Sequence, residues 1–184
     1  GDSTGSNAAR NFTTSSSMYF DGTGDYLTLP NKNNRLTIGD LDFTIEFWHY
    51  PTTLSGHRNI YEARSSGSQA TPSIWLDSSG YYYYYVSGGY RISQPSGEVT
   101  ANNWYHVAIA RSRSSTKMFV NGTQKGSTYT DTTTYLAGLS EHLLGKHWDS
   151  TGYEIAGYVQ DFRFTKGLAR YTTNFTPNTT EFKG

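Results

Sequence analysis

The chain contains no cysteine, so disulfides cannot brace it and neither a thiolate nucleophile nor a zinc–thiolate site is available. It also lacks net charge: 15 basic and 15 acidic residues cancel over 184 positions. Nucleic acid and anionic membranes are met by a basic excess or an amphipathic basic helix, so neither is an expected partner. No apolar run reaches the length of a membrane span or of a signal-peptide core. Aliphatic residues are scarce, no repeat of fixed period is present, and there is neither a Gly-x-Ser-x-Gly elbow nor a His-Glu-x-x-His pair. A solenoid, a propeller, a serine hydrolase of that type and a zincin are thereby set aside.

What remains is aromatic and polar. Rings make up 16% of the residues, and Tyr, Phe and Trp bury enough area each to build the core that Leu and Ile do not supply. Gly, Ser, Thr and Asn dominate the rest, a mixture that suits short strands joined by tight turns. Strand patterns recur along the chain. In FTIEFWHY, Phe43, Ile45, Phe47 and His49 share one face, and Thr44, Glu46, Trp48 and Tyr50 the other. SMYFD and DYLTL flank a Gly-Thr-Gly turn, and WYHVAIAR and KMFVNG form a hairpin through SRSST. Asn121-Gly122 marks another reversal, since both tolerate positive φ. EIAGYVQDFRFTKG reads as one long strand. Leu136, Leu139 and Leu143 stand at helical spacing, against which Gly138 and the neighbouring strands argue. About a dozen short strands predict an all-β, two-sheet antiparallel sandwich in one domain, residues 17–184. The polar residues 1–16 read as a linker or N-terminal stub.

Five consecutive tyrosines, Tyr81 to Tyr85, fit this plan as a strand. Tyr81, Tyr83 and Tyr85 point one way, Tyr82 and Tyr84 the other. One set packs on the core, and the other, taken here as Tyr82 and Tyr84, meets an exposed or concave surface. High β-propensity alone would account for the run as well.

The segments MYFDGTGDYLTL, LDFTIEFWHYPT, NNWYHVAIAR, KMFVNGTQ and GYVQDFRFTKGLARY, in this order, resemble the motifs of laminin-G-like jelly rolls in the concanavalin A-like lectin and glucanase superfamily. The resemblance spans about residues 17 to 182. The closing TKGLARYTTNFTPNTTEF is similar to the ends of such modules in bacteriophage structural and tail-fibre proteins. The resemblance implies two face-to-face sheets and a lectin-like module that binds a cell-surface glycan or receptor. It also implies a virion or extracellular setting among other virion proteins, homo-oligomeric assembly and a structural calcium ion.

Related glucanases carry a Glu-x-Asp-x-x-Glu strand, whereas the matching strand here holds only Glu46. Glycoside hydrolysis needs two carboxyl groups, so no enzyme is expected and the hydrolase is kept as a minor alternative. Glu46 either pairs with a basic neighbour or serves as a sugar acceptor beside Trp48 and Tyr50. Tyr90 and Arg91 in GGYRIS, and Trp148 and Asp149 in the Gly-punctuated GKHWDSTGYE, complete the candidate ligand set with Tyr82 and Tyr84. Sugars stack their C–H faces on rings while a few fixed polar groups orient their hydroxyls. Trp75 and Trp104, inside strand patterns, are expected in the core. For calcium, Asp21 and Asp25 around two glycines, with Asp161, are the candidate ligands; Asx-type turn bonds are the alternative for the first two. The competing function is a structural decoration or spacer domain whose aromatics serve packing only.

Overall fold

The computed structural model describes residues 17–94 and 97–182, so the linker reading of residues 1–16 falls outside the described residues. Alternating side chains resolve into two antiparallel sheets of six strands. The first runs β1 (Met18–Asp21), β12 (Ala156–Lys166), β3 (Phe43–Pro51), β8 (Tyr105–Ser112), β9 (Ser115–Val120), β10 (Thr123–Thr130). The second runs β2 (Leu27–Pro30), β11 (Glu141–Leu144), β4 (Arg58–Glu62), β5 (Ser73–Leu76), β6 (Tyr82–Val86), β7 (Gly89–Ser93). This is the jelly-roll sandwich that the strand pattern predicts.

The inner faces carry Phe43, Ile45 and Phe47 from β3 against Tyr61, Ile74, Leu76, Tyr82 and Tyr84 from the second sheet, all at most 1% exposed. Burying each such ring contributes about 1.5–3 kcal/mol. A buried phenol also needs a partner, and each finds one between the sheets or beside them. Tyr82 Oη meets His49 Nδ1 at 2.9 Å, Tyr61 Oη meets His142 Nδ1 at 2.6 Å, and Tyr84 Oη meets Tyr135 Oη at 2.6 Å. Tyr135 Oη also bonds Asp131 Oδ2 at 2.7 Å.

Three local readings meet the structure differently. Asn121 and Gly122 have φ of 49° and 76° and join Val120 to Thr123 in a two-residue hairpin turn, as their types predict. The Gly-Thr-Gly turn joins strands of opposite sheets, β1 and β2, so it is a crossing between layers and not a hairpin. The leucines at helical spacing form no helix: Tyr135 bridges Gly39, β11 follows, and Leu136 is 52% exposed. Gly138 decides this, since its positive φ sets it against the Ala63 carbonyl, where a Cβ would collide.

Beyond β12 the chain folds back as a strap, residues 167–182, over the outer face of the first sheet. Tyr171 and Phe175 stack at 3.6 Å and cover Ala108, Ala110 and Phe119. Thr44 anchors the strap, its hydroxyl donating to Leu168 O at 3.0 Å and accepting from Arg170 N at 2.9 Å. Phe175 N donates to Gly122 O at 2.9 Å, tying the strap to the hairpin turn.

Candidate functional site

The strap covers part of the first sheet's outer face, where Tyr19, Tyr158, Tyr50 and Trp104 stay part-exposed; a larger ring cluster lies on the outer face of the second sheet. Strand register assembles it. Asn59 of β4 stands opposite Trp75 of β5, which stands opposite Tyr83 of β6; in the next row Glu62, Ser73, Tyr85 and Tyr90 line up across β4 to β7. Tyr90 is 52% exposed and packs on Tyr83 at 4.9 Å and on Tyr85 at 5.2 Å. Arg64 lies flat over Tyr85 at 4.3 Å and near Trp75 at 5.7 Å. The loop after β11 adds His147, 5.3 Å from Trp75, with Trp148 5.5 Å and Tyr153 5.3 Å from that imidazole. The result is a continuous surface of rings with one guanidinium in it.

Beneath the rings lies a closed polar network. Glu62, wholly buried, accepts from Arg64 Nε at 2.8 Å and Nη2 at 2.6 Å, from Asn59 Nδ2 at 2.8 Å and from Ser73 Oγ at 3.2 Å. His147 bridges outward, with Nε2 3.9 Å from Glu62 and Nδ1 2.8 Å from Asp149. Burial lowers the pKa of His147 against the pull of Glu62 and Asp149, so the ring is neutral at pH 7. Asp77 accepts the Tyr83 hydroxyl at 2.7 Å, and burial together with that bond raises the phenol's pKa. Asn59 Oδ1, Trp75 Nε1 and Trp148 Nε1 are buried without hydrogen-bond partners. Each such atom costs about 1–3 kcal/mol, and native folds keep few of them.

The expected ligand residues divide. Tyr90, Trp148 and Asp149 come together on this face. Tyr82 and Tyr84 do not: they are core residues, because their side of β6 continues into buried Val86 while Tyr81, Tyr83 and Tyr85 point outward. Arg91 turns away, bonding Val86 O at 3.1 Å and Ser87 O at 2.9 Å and lying over Tyr129 of β10. Glu46 and Trp48 belong to the first sheet and are covered. Glu46 is wholly buried and held by Arg163, Tyr171 and His106, which is the structural reading of that residue. Trp48, 9% exposed, packs edge-on to His106. Arg64 was not expected here; Tyr83 and Tyr85 belong to the other face of the tyrosine strand, His147 and Tyr153 come from the same loop as Trp148, and Trp75 was expected in the core.

The three aspartates do not converge. Asp21 pairs with Ala156 on β12, five positions from Asp161, which is about 16 Å along a strand, so one ion cannot take both. Asp21 Oδ1 instead accepts Thr23 N at 2.7 Å and Asp25 Oδ2 accepts Asp21 N at 3.1 Å, the turn-closing alternative. Among the described residues no three His, Asp or Glu side chains gather in a way that could hold a metal. The residues present therefore do not fit the three-aspartate calcium site that the resemblance implied.

A family model described as the concanavalin A-like lectin/glucanases superfamily matches residues 21–168. The chain belongs to this superfamily. Its lectin-like sandwich is similar to the CBM40 of the Ruminococcus gnavus IT-sialidase bound to α2,3-sialyllactose, with a TM-score of 0.65 at 13% identity over 83% of this chain and 91% of that one. It is similar to domain 4 of an extracellular GH43 arabinanase from Geobacillus stearothermophilus in complex with arabinotriose, with a TM-score of 0.63 at 15% identity over 87% and 75%. A third is the SAP-like pentraxin of Limulus polyphemus, with a TM-score of 0.57 at 18% identity over 82% and 76%. No curated protein matches the chain. At these identities the similarity shows the fold.

Proposed function

We propose that this lectin-superfamily domain is a non-catalytic carbohydrate-binding module that holds a glycan on the outer face of its second sheet. The observation that carries the reading is Tyr90, half exposed on a bed of Tyr83 and Tyr85, beside the Arg64–Trp75–His147 cluster. Rings at this density stack on sugar C–H faces. Asp149, with its carboxylate exposed, is the group placed to orient hydroxyls at the rim. The glycan complexes of the Ruminococcus and Geobacillus modules support the reading.

Hydrolysis is disfavoured by the state of the carboxylates. Glu46 is sealed under the strap, and Glu62 has both oxygens bound by its neighbours, so neither is free to protonate a leaving group or attack an anomeric carbon. A single sugar held on an open sheet face is expected to bind weakly. Homo-oligomeric display, on a virion or another extracellular scaffold, would supply tight tethering through effective concentration.

The test is a glycan array run in calcium and in EDTA, followed by calorimetry on the hits. Tyr90→Ala and Trp148→Ala are each expected to weaken binding about tenfold or more, with thermal melting unchanged for the exposed Tyr90. Stacking expects equal signals with and without EDTA. Silence across the array, or hits indifferent to both substitutions, would replace the lectin reading with that of a spacer domain.

A further inference from the structure

Resting on that carbohydrate reading, we infer that the site takes neutral glycans and rejects acidic ones, sialylated chains included. A sugar carboxylate needs a cation with free donors. Among the described residues Arg64 is the one guanidinium set among the rings; it is 3% exposed and has Nε and Nη2 engaged by Glu62. Its charge is cancelled before any ligand arrives. The acids facing the same surface are Glu62, Asp77 and Asp149, three against one. Arg58, at the border, has its terminal nitrogens engaged by neutral oxygens, Nη1 by the Glu154 backbone carbonyl at 3.0 Å and Nη2 by the Ser55 hydroxyl at 2.8 Å. The other nearby cations are turned elsewhere: Lys146 lies over Tyr26 at 4.5 Å, and Arg91 over Tyr129 at 5.7 Å. An anionic sugar seated on these rings would meet a net negative surface and leave its own charge without a partner, which is costly in a partly desolvated site. A neutral sugar meets no such penalty, because its hydroxyls bond to carboxylates and carbonyls as donors.

The experiment pairs neutral oligosaccharides with their sialylated or uronic-acid counterparts, lactose with 3′-sialyllactose among them, on the intact chain. Affinities are measured by calorimetry at about 50 mM and 500 mM salt. Neutral members are expected to bind at least about tenfold tighter than their acidic partners. Neutral affinities should move less than about twofold with salt, while the penalty on acidic partners shrinks as screening rises. Asp149→Asn, at a solvent-facing carboxylate, should narrow the neutral-to-acidic ratio. Preference for the sialylated partner, lost in high salt and in Arg64→Gln, would overturn this inference while leaving the binding face standing. Binding by no member of either series would overturn the carbohydrate reading itself.

Discussion

Replacing Glu46 by alanine is expected to remove about 3–5 kcal/mol of folding stability, far more than removing the half-exposed ring of Tyr90. The carboxylate has no exposed surface and joins two layers. At Oε1 it accepts Arg163 Nε at 2.9 Å and Nη2 at 2.8 Å; at Oε2 it accepts the Tyr171 hydroxyl at 2.8 Å and meets His106 Nε2 at 3.2 Å. Arg170 Nε stands 3.8 Å away. Burial acts to raise its pKa, but the bonds from His106, Tyr171 and Arg163 outweigh that and hold it below the usual carboxylate value, so it is ionised at neutral pH. Truncation takes the carboxylate away from the Arg163 guanidinium and from the Tyr171 phenol under the strap. Glu46→Gln keeps the volume and some of the bonds and should lose less. Urea titration reads the effect directly, and a melting point lowered by roughly 10 °C is expected for a chain of this size. Amide exchange should rise first in the strap around Tyr171. A loss under about 1 kcal/mol, with the strap still protected, would mean that the ring stack of Tyr171 and Phe175 holds this layer by itself.

The same residue shows why the fold was more legible than the site. The alternation in β3 sorts its two faces, and the inner one, Phe43, Ile45, Phe47 and His49, is the core face. Alternation does not say what covers the other face. Tyr171 lies 125 positions from Glu46, and nothing local to either residue announces the contact. For the tyrosine strand the signal was present. Tyr82 and Tyr84 share parity with Val86, whereas Tyr81, Tyr83 and Tyr85 share it with Ser87 at the turn, so the apolar continuation marks the buried side. Trp75 obeys the same rule: Ser73 and Asp77 flank it at spacing two, while Ile74 and Leu76 take the core. The pairing of Glu62 with Arg64 is local, but its place under Trp75, Tyr85 and His147 depends on how β4, β5, β6 and the distant loop register. Asp21 and Asp161 do lie on paired strands, as the calcium reading supposed, but five positions out of step.

Stability is expected to fall steeply as pH drops from about 6.5 towards 3, and His49 is the main reason. The ring is fully buried between the sheets against the Tyr82 hydroxyl, and burial lowers its pKa from 6.5 to about 3. Between those values the unfolded chain binds a proton that the folded chain refuses. The sign follows: the stabilisation is complete above pH 6.5, declines by about 1.4 kcal/mol per pH unit below it, and is exhausted near pH 3. Over that window one histidine removes on the order of 4–5 kcal/mol, a large part of the stability of an ordinary domain. His142 and His147, both lowered by burial, act in the same direction. Below 4.5 Glu46 joins them with the carboxylate sign, since its bonds favour the ionised form and are lost on protonation. Urea midpoints at each pH from 8 to 4 give the slope. His49→Gln, which keeps a polar atom near Tyr82 and removes the titration, should be less stable at pH 8 but flatter by about one proton between pH 6 and 4. Equal slopes in the two proteins would show that the imidazole takes up its proton inside the folded sandwich, and the buried His49–Tyr82 link would then not be the acid-sensitive joint between the sheets.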